Sequence, residues 1–524
     1  MRVDSLKIRS FKNLTDITID FDEGELSTVI IGENGTGKSN VIEALATIFR
    51  DLDVGEASAF QYRVAYNCSG YRIEVNYDDS GLAYSVDGKT ISKTEFMARR
   101  NKLLPAHVFA YYSGGSHRLE SIFRGHQARY YRQVISPEVE FDERAGADLR
   151  RLFYCRASYG QLALLTYFAF GADSAKSFLK KHMGIDAFDS ALIVLRKPRW
   201  ASAKPIKAQL EHGDPRFWYS TGLVKRLLEK LWDNALAPVA YSNSELDDYR
   251  AKPTPEEQRY LFIRDEASLR KIAESFGDEK TFFALLETLE ISDLVREVRI
   301  WVRKPAVTGE IPFHEISDGE KQLLSVLGLM RFTGKDESLF LLDEPDTHLN
   351  PAWKWNYLQL IKDVVQKNAE SHLIMTSHDP LTMGSLLASQ VQVISRSGDG
   401  TLSVAQPDID PRGLGFTSIL TQIFGRHTTL DPKTQEKLDE RNELVRIENR
   451  TEKQQIRLVE LSELLKQLGF VLEDREPEYE LFLRAMQGVK TSRASVLTPA
   501  EIVQRNAVAK QMLEIIMARK KERQ

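Results

Sequence analysis

One segment constrains this chain more than any other. Gly32-Glu33-Asn34-Gly35-Thr36-Gly37-Lys38-Ser39 lies between an apolar run, Leu26 to Ile31, and a helical pattern, Lys38 to Phe49. It fits G-x-x-x-x-G-K-[ST] in the context that pattern needs, strand before and helix after. Glycines let successive backbone N–H groups curl around an anion, and the helix N-terminus adds partial positive charge. On this reading Lys38 reaches the β and γ phosphates of a nucleotide, and Ser39 ligates Mg²⁺. A turn of this kind hangs from a parallel sheet, so an α/β fold is expected.

Three further segments belong with it. Ser338-Leu339-Phe340-Leu341-Leu342-Asp343-Glu344-Pro345 is an apolar strand ending in two carboxylates, which are costly at a buried edge unless they have partners. Asp343 is expected to hold Mg²⁺ through water, and Glu344 to take a proton from an attacking water as general base. Asp346, with Thr347-His348-Leu349-Asn350-Pro351, is read as the turn into the next helix. Upstream, Ile316-Ser317-Asp318-Gly319-Glu320-Lys321-Gln322 precedes a helix, Leu323 to Leu329, and makes a second anion cradle. One chain has one γ-phosphate to hold and two cradles, so the second is expected to close on the nucleotide of a neighbouring subunit. Finally, His372-Leu373-Ile374-Met375-Thr376-Ser377-His378 sets His378 just past another buried strand, within reach of a γ-phosphate.

The rest of the chain frames these motifs. Alternation predicts strands at Val3–Ile8 and Ile17–Phe21, then an antiparallel meander at Tyr62–Tyr66, Tyr71–Tyr77 and Leu82–Val86. His107 to Tyr112 is a further strand. From about Leu119 to Leu294 the pattern is mostly helical, and after Val298–Val302 it alternates strand and helix again up to about Val404, as a parallel sheet would. The charged tail carries a leucine stripe, Leu438, Leu444, Ile447, Leu458, Leu461, Leu465 and Leu468. A last helix has its start signal at Thr498-Pro499-Ala500-Glu501. The expected organisation is 1–118 and 300–429 as two halves of one head, 119–299 as an insert, and 430–524 as a helical tail for assembly or partner docking.

Bulk properties mainly exclude. With 524 residues, two or three structural units are expected. A net charge of −4 gives no global pull toward nucleic acid or anionic membrane. A DNA or RNA contact would have to come from local basic stretches: Arg118, Arg124, Arg129 and Arg132 around Tyr130 and Tyr131; Arg196, Lys197, Arg199, Lys204 and Lys207 around Trp200; or Arg519 to Arg523. Solvated faces are the alternative reading of all three. Two cysteines, Cys68 and Cys155, rule out a disulfide framework or a cysteine zinc site, and fit buried thiols in a reducing cytoplasm. The N-terminus lacks the apolar region of a signal peptide, and no run approaches the roughly 20 apolar residues that span a bilayer. A cytoplasmic protein without membrane contact is expected.

The order of phosphate loop, long insert, Ser-x-Gly-Glu signature, Asp-Glu strand, D-loop and switch histidine resembles the ABC-type ATPases of the RecF, SMC and OLD group. The opening Leu6-Lys7-Ile8-Arg9-Ser10-Phe11-Lys12-Asn13-Leu14 is similar to that group's start, with Lys12 where arginine is common. The resemblance implies an ABC-type P-loop ATPase head with an antiparallel β-meander lobe, a mostly helical insert and a helical C-terminal tail. It implies ATP and Mg²⁺ as cofactors, slow ATP hydrolysis dependent on a homodimer or higher homo-oligomer, and nucleotide contacts by Gly32 to Ser39, Lys12, Ser317, Gly319, Glu320 and Asp346. The group's Q-loop glutamine has no clear counterpart; Gln127, Gln133 and Gln161 are candidates. Phe109-Ala110-Tyr111-Tyr112-Ser113-Gly114, the Leu341 to Pro351 segment, and the late Leu468-Gly469-Phe470 and Glu476-Pro477-Glu478-Tyr479 look like the stand-alone ATPases of bacterial anti-phage systems, such as the ATPase subunit of Septu, which works with an HNH nuclease.

Three functions compete on this basis. The chain is a nucleotide-gated regulator of a separate HNH-type nuclease, or a DNA-repair or DNA-clamping ATPase of the RecF/SMC kind, or an OLD-like ATPase with its own nuclease. For the last, the only late Asp-x-Asp pair is Asp408-Ile409-Asp410, which lies between Pro407 and Pro411 and reads as a polar loop.

Overall fold

The computed structural model describes residues 1–470 apart from 136–150, 246–253, 306–308, 334–336, 366–370, 398–399, 426–427 and the single positions 23, 157, 172, 203 and 448; beyond 470 it describes only 510 and 511. The start signal at Thr498 and the Glu476 to Tyr479 segment therefore lie outside the described residues. The chain forms two compact units, Met1–Arg426 and His427–Gln524.

The first unit is built on three sheets. The central one has seven strands in the order Leu402–Ala405, Val391–Arg396, Ser27–Gly32, His372–Thr376, Ser338–Asp343, His107–Tyr112 and Leu152–Tyr154. All neighbours pair in parallel except Leu402–Ala405, which closes its edge antiparallel. Its middle strands are buried along their whole length, which is why they read as unbroken apolar runs. The second sheet has six antiparallel strands, Arg2–Phe11 paired with Leu14–Asp20 and Tyr62–Cys68, then Tyr71–Asp78, Gly81–Val86 and Lys89–Ile91. This is the expected meander lobe. One core lies between it and the central sheet, closed by the helix Lys38–Val54.

The insert is helix-rich, as expected, but it also supplies most of a five-stranded antiparallel sheet that the sequence pattern does not announce. Its order is Val239–Glu245, Thr254–Ile263, Ala187–Arg196, Val295–Arg303 and Glu310–Pro312. Val298–Val302 is thus a strand, but it pairs antiparallel with Ala187–Arg196 and does not open the parallel sheet. The reason is local. Ala191 to Leu195 is apolar throughout, a run that does not distinguish strand from buried helix, and Thr254–Ile263 is polar in its first half.

The helix Tyr159–Phe170 is apolar all round because it is enclosed on all sides, with the helix Asp318–Thr333 against it. Their backbones meet closely: a Cβ on Gly328 would lie 2.6 Å from that of Ala163, and one on Gly160 would lie 2.8 Å from Ser325 Oγ. The insert and the helix carrying the Ser317–Gln322 segment therefore share one interdigitated contact.

In the second unit the leucine stripe is divided between two helices, Pro432–Arg446 and Glu452–Gln467. Arg450 reverses the chain between them by donating to the last carbonyls of the first helix, Leu444, Val445 and Ile447, while Thr451 and Gln454 form a capping box for the second. Leu461 and Leu465 are buried in this hairpin, whereas Leu468 is exposed. Arg457 bridges the helices through Glu440 at 2.8 Å.

Cys68 and Cys155 are buried free thiols. No helix among the described residues is long and apolar enough to cross a membrane. Inside the first unit, His372 is fully buried; its Nδ1 accepts from Val3 N–H at 3.0 Å and its Nε2 faces Thr28 Oγ1 at 3.2 Å. Burial and the nearby Arg2 guanidinium lower its pKa from 6.5 to about 3. A base depressed in the folded state takes its proton in the unfolded chain first, so its stabilising effect is complete above pH 6.5 and is lost as pH falls toward 3. Below pH 6.5 this histidine should contribute a slope of about 1.4 kcal/mol per pH unit. Urea titrations at pH 7.5, 6.0 and 5.0 should show that slope reduced in His372→Asn relative to the wild type.

Candidate functional site

Parallel pairing brings the motifs to one edge. Gly32 pairs with Ile394, Thr376 with Ile30 and with Asp343, and Asp343 with Tyr112, so the carboxyl ends of four strands are level. Ligands of open α/β sheets bind outside such an edge. The glycine-rich turn leaves from Gly32 there. Gly32 and Gly37 have φ of +152° and +99°, and a Cβ on either would collide, with Ile394 O at 2.2 Å and with Leu14 Cδ2 at 2.6 Å respectively. Only glycine fits both positions. Asn13, in the hairpin between Arg2–Phe11 and Leu14–Asp20, clamps the turn from outside by donating to Gly35 O at 2.8 Å and accepting from Asn40 at 2.6 Å. Thr36 donates to Glu33 O at 2.8 Å; Glu33, Asn34 and Gly35 are exposed. Lys38 folds back on its own loop, with Nζ donating to Gly32 O at 2.9 Å and Glu33 O at 3.1 Å. Burial lowers its pKa, against the opposing pull of Glu344 and Asp343.

Asp343 is the hub. Its Oδ1 accepts from Ser39 Oγ at 2.9 Å and Thr376 Oγ1 at 2.6 Å, and its Oδ2 accepts from Arg118 at 3.0 Å. Burial pushes its pKa up, and these donors oppose the shift. Glu344 follows with φ of +52°, a left-handed backbone unusual for glutamate. Thr376 Oγ1 accepts its N–H at 3.0 Å, and the Glu344 carbonyl accepts from Thr347 Oγ1 at 2.9 Å. The turn directs its carboxylate outward, where Oε1 lies 3.3 Å from His378 Nδ1. His378 is half exposed. Thr376 thus holds the Asp343 carboxylate and the Glu344 backbone from one buried hydroxyl, a role its position in the strand does not advertise. Thr376→Val keeps the shape but removes one of the two hydroxyl donors to Asp343 Oδ1 and leaves the Glu344 N–H without its acceptor. ATP turnover should fall about 10- to 100-fold, with the fold retained by circular dichroism.

The other expected residues are placed as follows. Asp346 is buried, and its Oδ2 accepts from Ser377 and Thr382 hydroxyls, each at 2.6 Å, so its carboxylate is turned inward. Ser317 and Glu320 form a capping box on their own helix, with Ser317 Oγ donating to Glu320 Oε2 at 2.9 Å. Glu320 also pairs with Lys304 at 2.8 Å; burial raises its pKa, but Lys304 and the Ser317 donors outweigh this and hold it low. Gly319 is buried against the D-loop, where a Cβ would lie 2.8 Å from His348 O. Ser317 and Asp318 are exposed, and among the described residues no hydrogen bond or ion pair joins 317–322 to 32–39. Lys12, at φ +55°, pairs with the buried Glu43 of the Lys38–Val54 helix.

Of the glutamine candidates, Gln127 is buried and Gln161 half-buried, while the Gln133 side chain lies outside the described residues. The group that reaches the hub from this part of the chain is Arg118. The sequence shows it only as the first of four arginines, and its spacing from Asp343 across 225 positions leaves no local signal. Asp410 accepts from Ala388 N–H at 2.7 Å, so it ties a loop.

A magnesium ion fits this chemistry. The donors converging beside the glycine cradle are hard oxygens, a hydroxyl and a carboxylate, which is the usual protein share when phosphates and waters complete the shell.

Comparison with known proteins agrees with that chemistry. The family profile "AAA ATPase domain" matches residues 1–134, and "AAA domain, putative AbiEii toxin, Type IV TA system" matches 186–384. The chain is 28% identical over 209 residues to the Septu protein PtuA of Bacillus thuringiensis, covering 35% of this chain and 52% of that protein. It is 31% identical over 142 residues to the DNA double-strand break repair Rad50 ATPase of Archaeoglobus fulgidus, covering 24% and 15%. It is 33% identical over 102 residues to the DNA replication and repair protein RecF of Carboxydothermus hydrogenoformans, covering 18% and 27%. The chain thus spans about half the length of PtuA, and less of the other two. With the phosphate loop, the Asp-Glu strand and the histidine strand level on one sheet edge, the chain is an ABC-type P-loop ATPase of the RecF/SMC group.

Proposed function

We propose that this protein is a Mg²⁺-dependent ATP hydrolase whose site is completed by a second copy of the chain. The observation that carries the reading is the hydrogen-bonded line from Ser39 through Asp343 and Thr376 to Glu344, ending beside His378. Lys38 leaves its loop carbonyls for the β and γ phosphates of ATP. Ser39 and Asp343 hold the metal, which neutralises phosphate charge when bound. Glu344 accepts the proton of the attacking water, and His378 faces the γ-phosphate. Ser317 presents the exposed start of its helix to the neighbour's nucleotide, with Gly319, packed on the D-loop, and Glu320, its capping partner, shaping that start. Asp346 acts through the D-loop, which it fastens to Ser377 and Thr382.

The cellular reading follows the similarity to PtuA: a cytoplasmic, nucleotide-gated regulator in an anti-phage defence complex, controlling a separate HNH-type nuclease. The hairpin of the second unit, with Ile456 and Val459 exposed, is the surface offered for assembly or partner docking. The Rad50 similarity supports a second reading, an ATPase that clamps DNA. Native mass spectrometry of the protein co-produced with the product of its neighbouring gene, with and without ATP, separates them. A nuclease complex whose composition depends on ATP supports regulation. ATP-dependent retention of duplex DNA, with no second protein bound, supports the clamp. Plasmid nicking by the chain alone, lost in Asp408→Ala/Asp410→Ala, would return the OLD-like reading.

A further inference from the structure

Arg118 begins the helix Arg118–Val134, and its guanidinium lies between two buried carboxylates. Nη2 is 3.0 Å from Asp343 Oδ2, Nε is 3.2 Å from Glu43 Oε1, and the group rests 4.8 Å from the ring centre of Tyr112. Asp343 is 2% exposed and Glu43 4%. The second oxygen of Glu43 is taken by Lys12, and the second oxygen of Asp343 by Ser39 and Thr376. Three of the four oxygens of this acidic pair are hydrogen-bonded, Glu43 Oε1 has only its ion-pair contact with Arg118, and the arginine supplies the charge that lets two buried carboxylates coexist. A divalent ion at Asp343 would come within a few ångströms of that fixed positive charge and compete with it for the same carboxylate.

Resting on the metal-site reading above, we propose that Arg118 is a latch on Asp343, which disfavours a divalent ion arriving alone and yields to one arriving with nucleotide. The triphosphate brings negative charge to the same edge, so the guanidinium can leave Asp343 without being left unpaired. Metal and nucleotide then bind with positive coupling, and by linkage each strengthens the other by the same factor. Arg118 is a positioning residue in this scheme and takes no proton.

The test is a Mn²⁺ titration followed by electron paramagnetic resonance of the free ion, with and without a non-hydrolysable ATP analogue. Wild-type protein should bind Mn²⁺ weakly alone and more tightly with the analogue. Arg118→Gln should bind Mn²⁺ alone on the order of 10-fold more tightly, the scale on which one adjacent charge shifts a carboxylate, and the gain from nucleotide should shrink. Arg118→Lys, which restores the charge, should return both toward the wild-type values. Circular dichroism melts check that each variant is folded. Unchanged or weaker Mn²⁺ binding by folded Arg118→Gln overturns the latch. Failure of the wild type to bind Mn²⁺ with the analogue, or binding unaffected by Asp343→Asn, overturns the metal-site reading instead.

Discussion

Glu344→Gln should bind ATP as the wild type does and hydrolyse it on the order of 10²–10⁴-fold more slowly. The substitution keeps the size of the side chain and a hydrogen-bonding oxygen, but it removes the group that accepts the proton of the attacking water. The backbone at this position is held by Thr376 and Thr347 and does not depend on the carboxylate, so the turn and the metal ligands beside it should persist. His378, 3.3 Å from Glu344, is a nearby group that could stand in as base. The double variant Glu344→Gln/His378→Ala, which also removes that group from the γ-phosphate, should therefore be slower than Glu344→Gln alone. Single-turnover hydrolysis and fluorescent-nucleotide binding measure the two properties separately. Near wild-type turnover by Glu344→Gln would remove it from the role of base.

The second large effect is a recovery. Lys38→Ala and Ser317→Arg should each be inactive alone, the first for want of phosphate binding and the second because arginine blocks the exposed start of the Asp318–Thr333 helix. In a shared-site dimer, each active site takes Lys38 from one protomer and Ser317 from the other. A mixed dimer of these variants carries both lesions in one site and none in the other. Random exchange at equal concentration makes half the dimers mixed, so activity should return to about a quarter of the wild-type value. Mixed labelled wild-type protein controls for exchange. No recovery, with exchange demonstrated, would place Ser317 outside the nucleotide site.

The site was more legible than the fold around it. Gly32 to Ser39, Asp343, Glu344 and His378 could be read because each lies at a fixed offset from a strand end, and parallel pairing then brings strand ends together. Thr376 and Arg118 could not be singled out. A threonine is ordinary in a buried strand, and Arg118 reaches Asp343 only through a fold that joins positions 225 apart. The meander lobe was visible because its strands alternate and its turns carry glycine. The insert sheet was not, because Ala187–Arg196 is covered on both faces along its apolar stretch and loses the alternation that marks a strand. In the tail, composition showed helix and leucines but not the reversal at Arg450, which depends on side-chain bonds to the end of the preceding helix.

The central claim is that hydrolysis needs two copies of the chain. Specific ATPase activity measured across protein concentration, with sedimentation velocity run on the same samples in the presence of ATP and Mg²⁺, tests it directly. The account predicts that turnover per protomer rises with the dimer fraction and levels off when that fraction saturates. Full turnover from samples that sediment as monomer would contradict it.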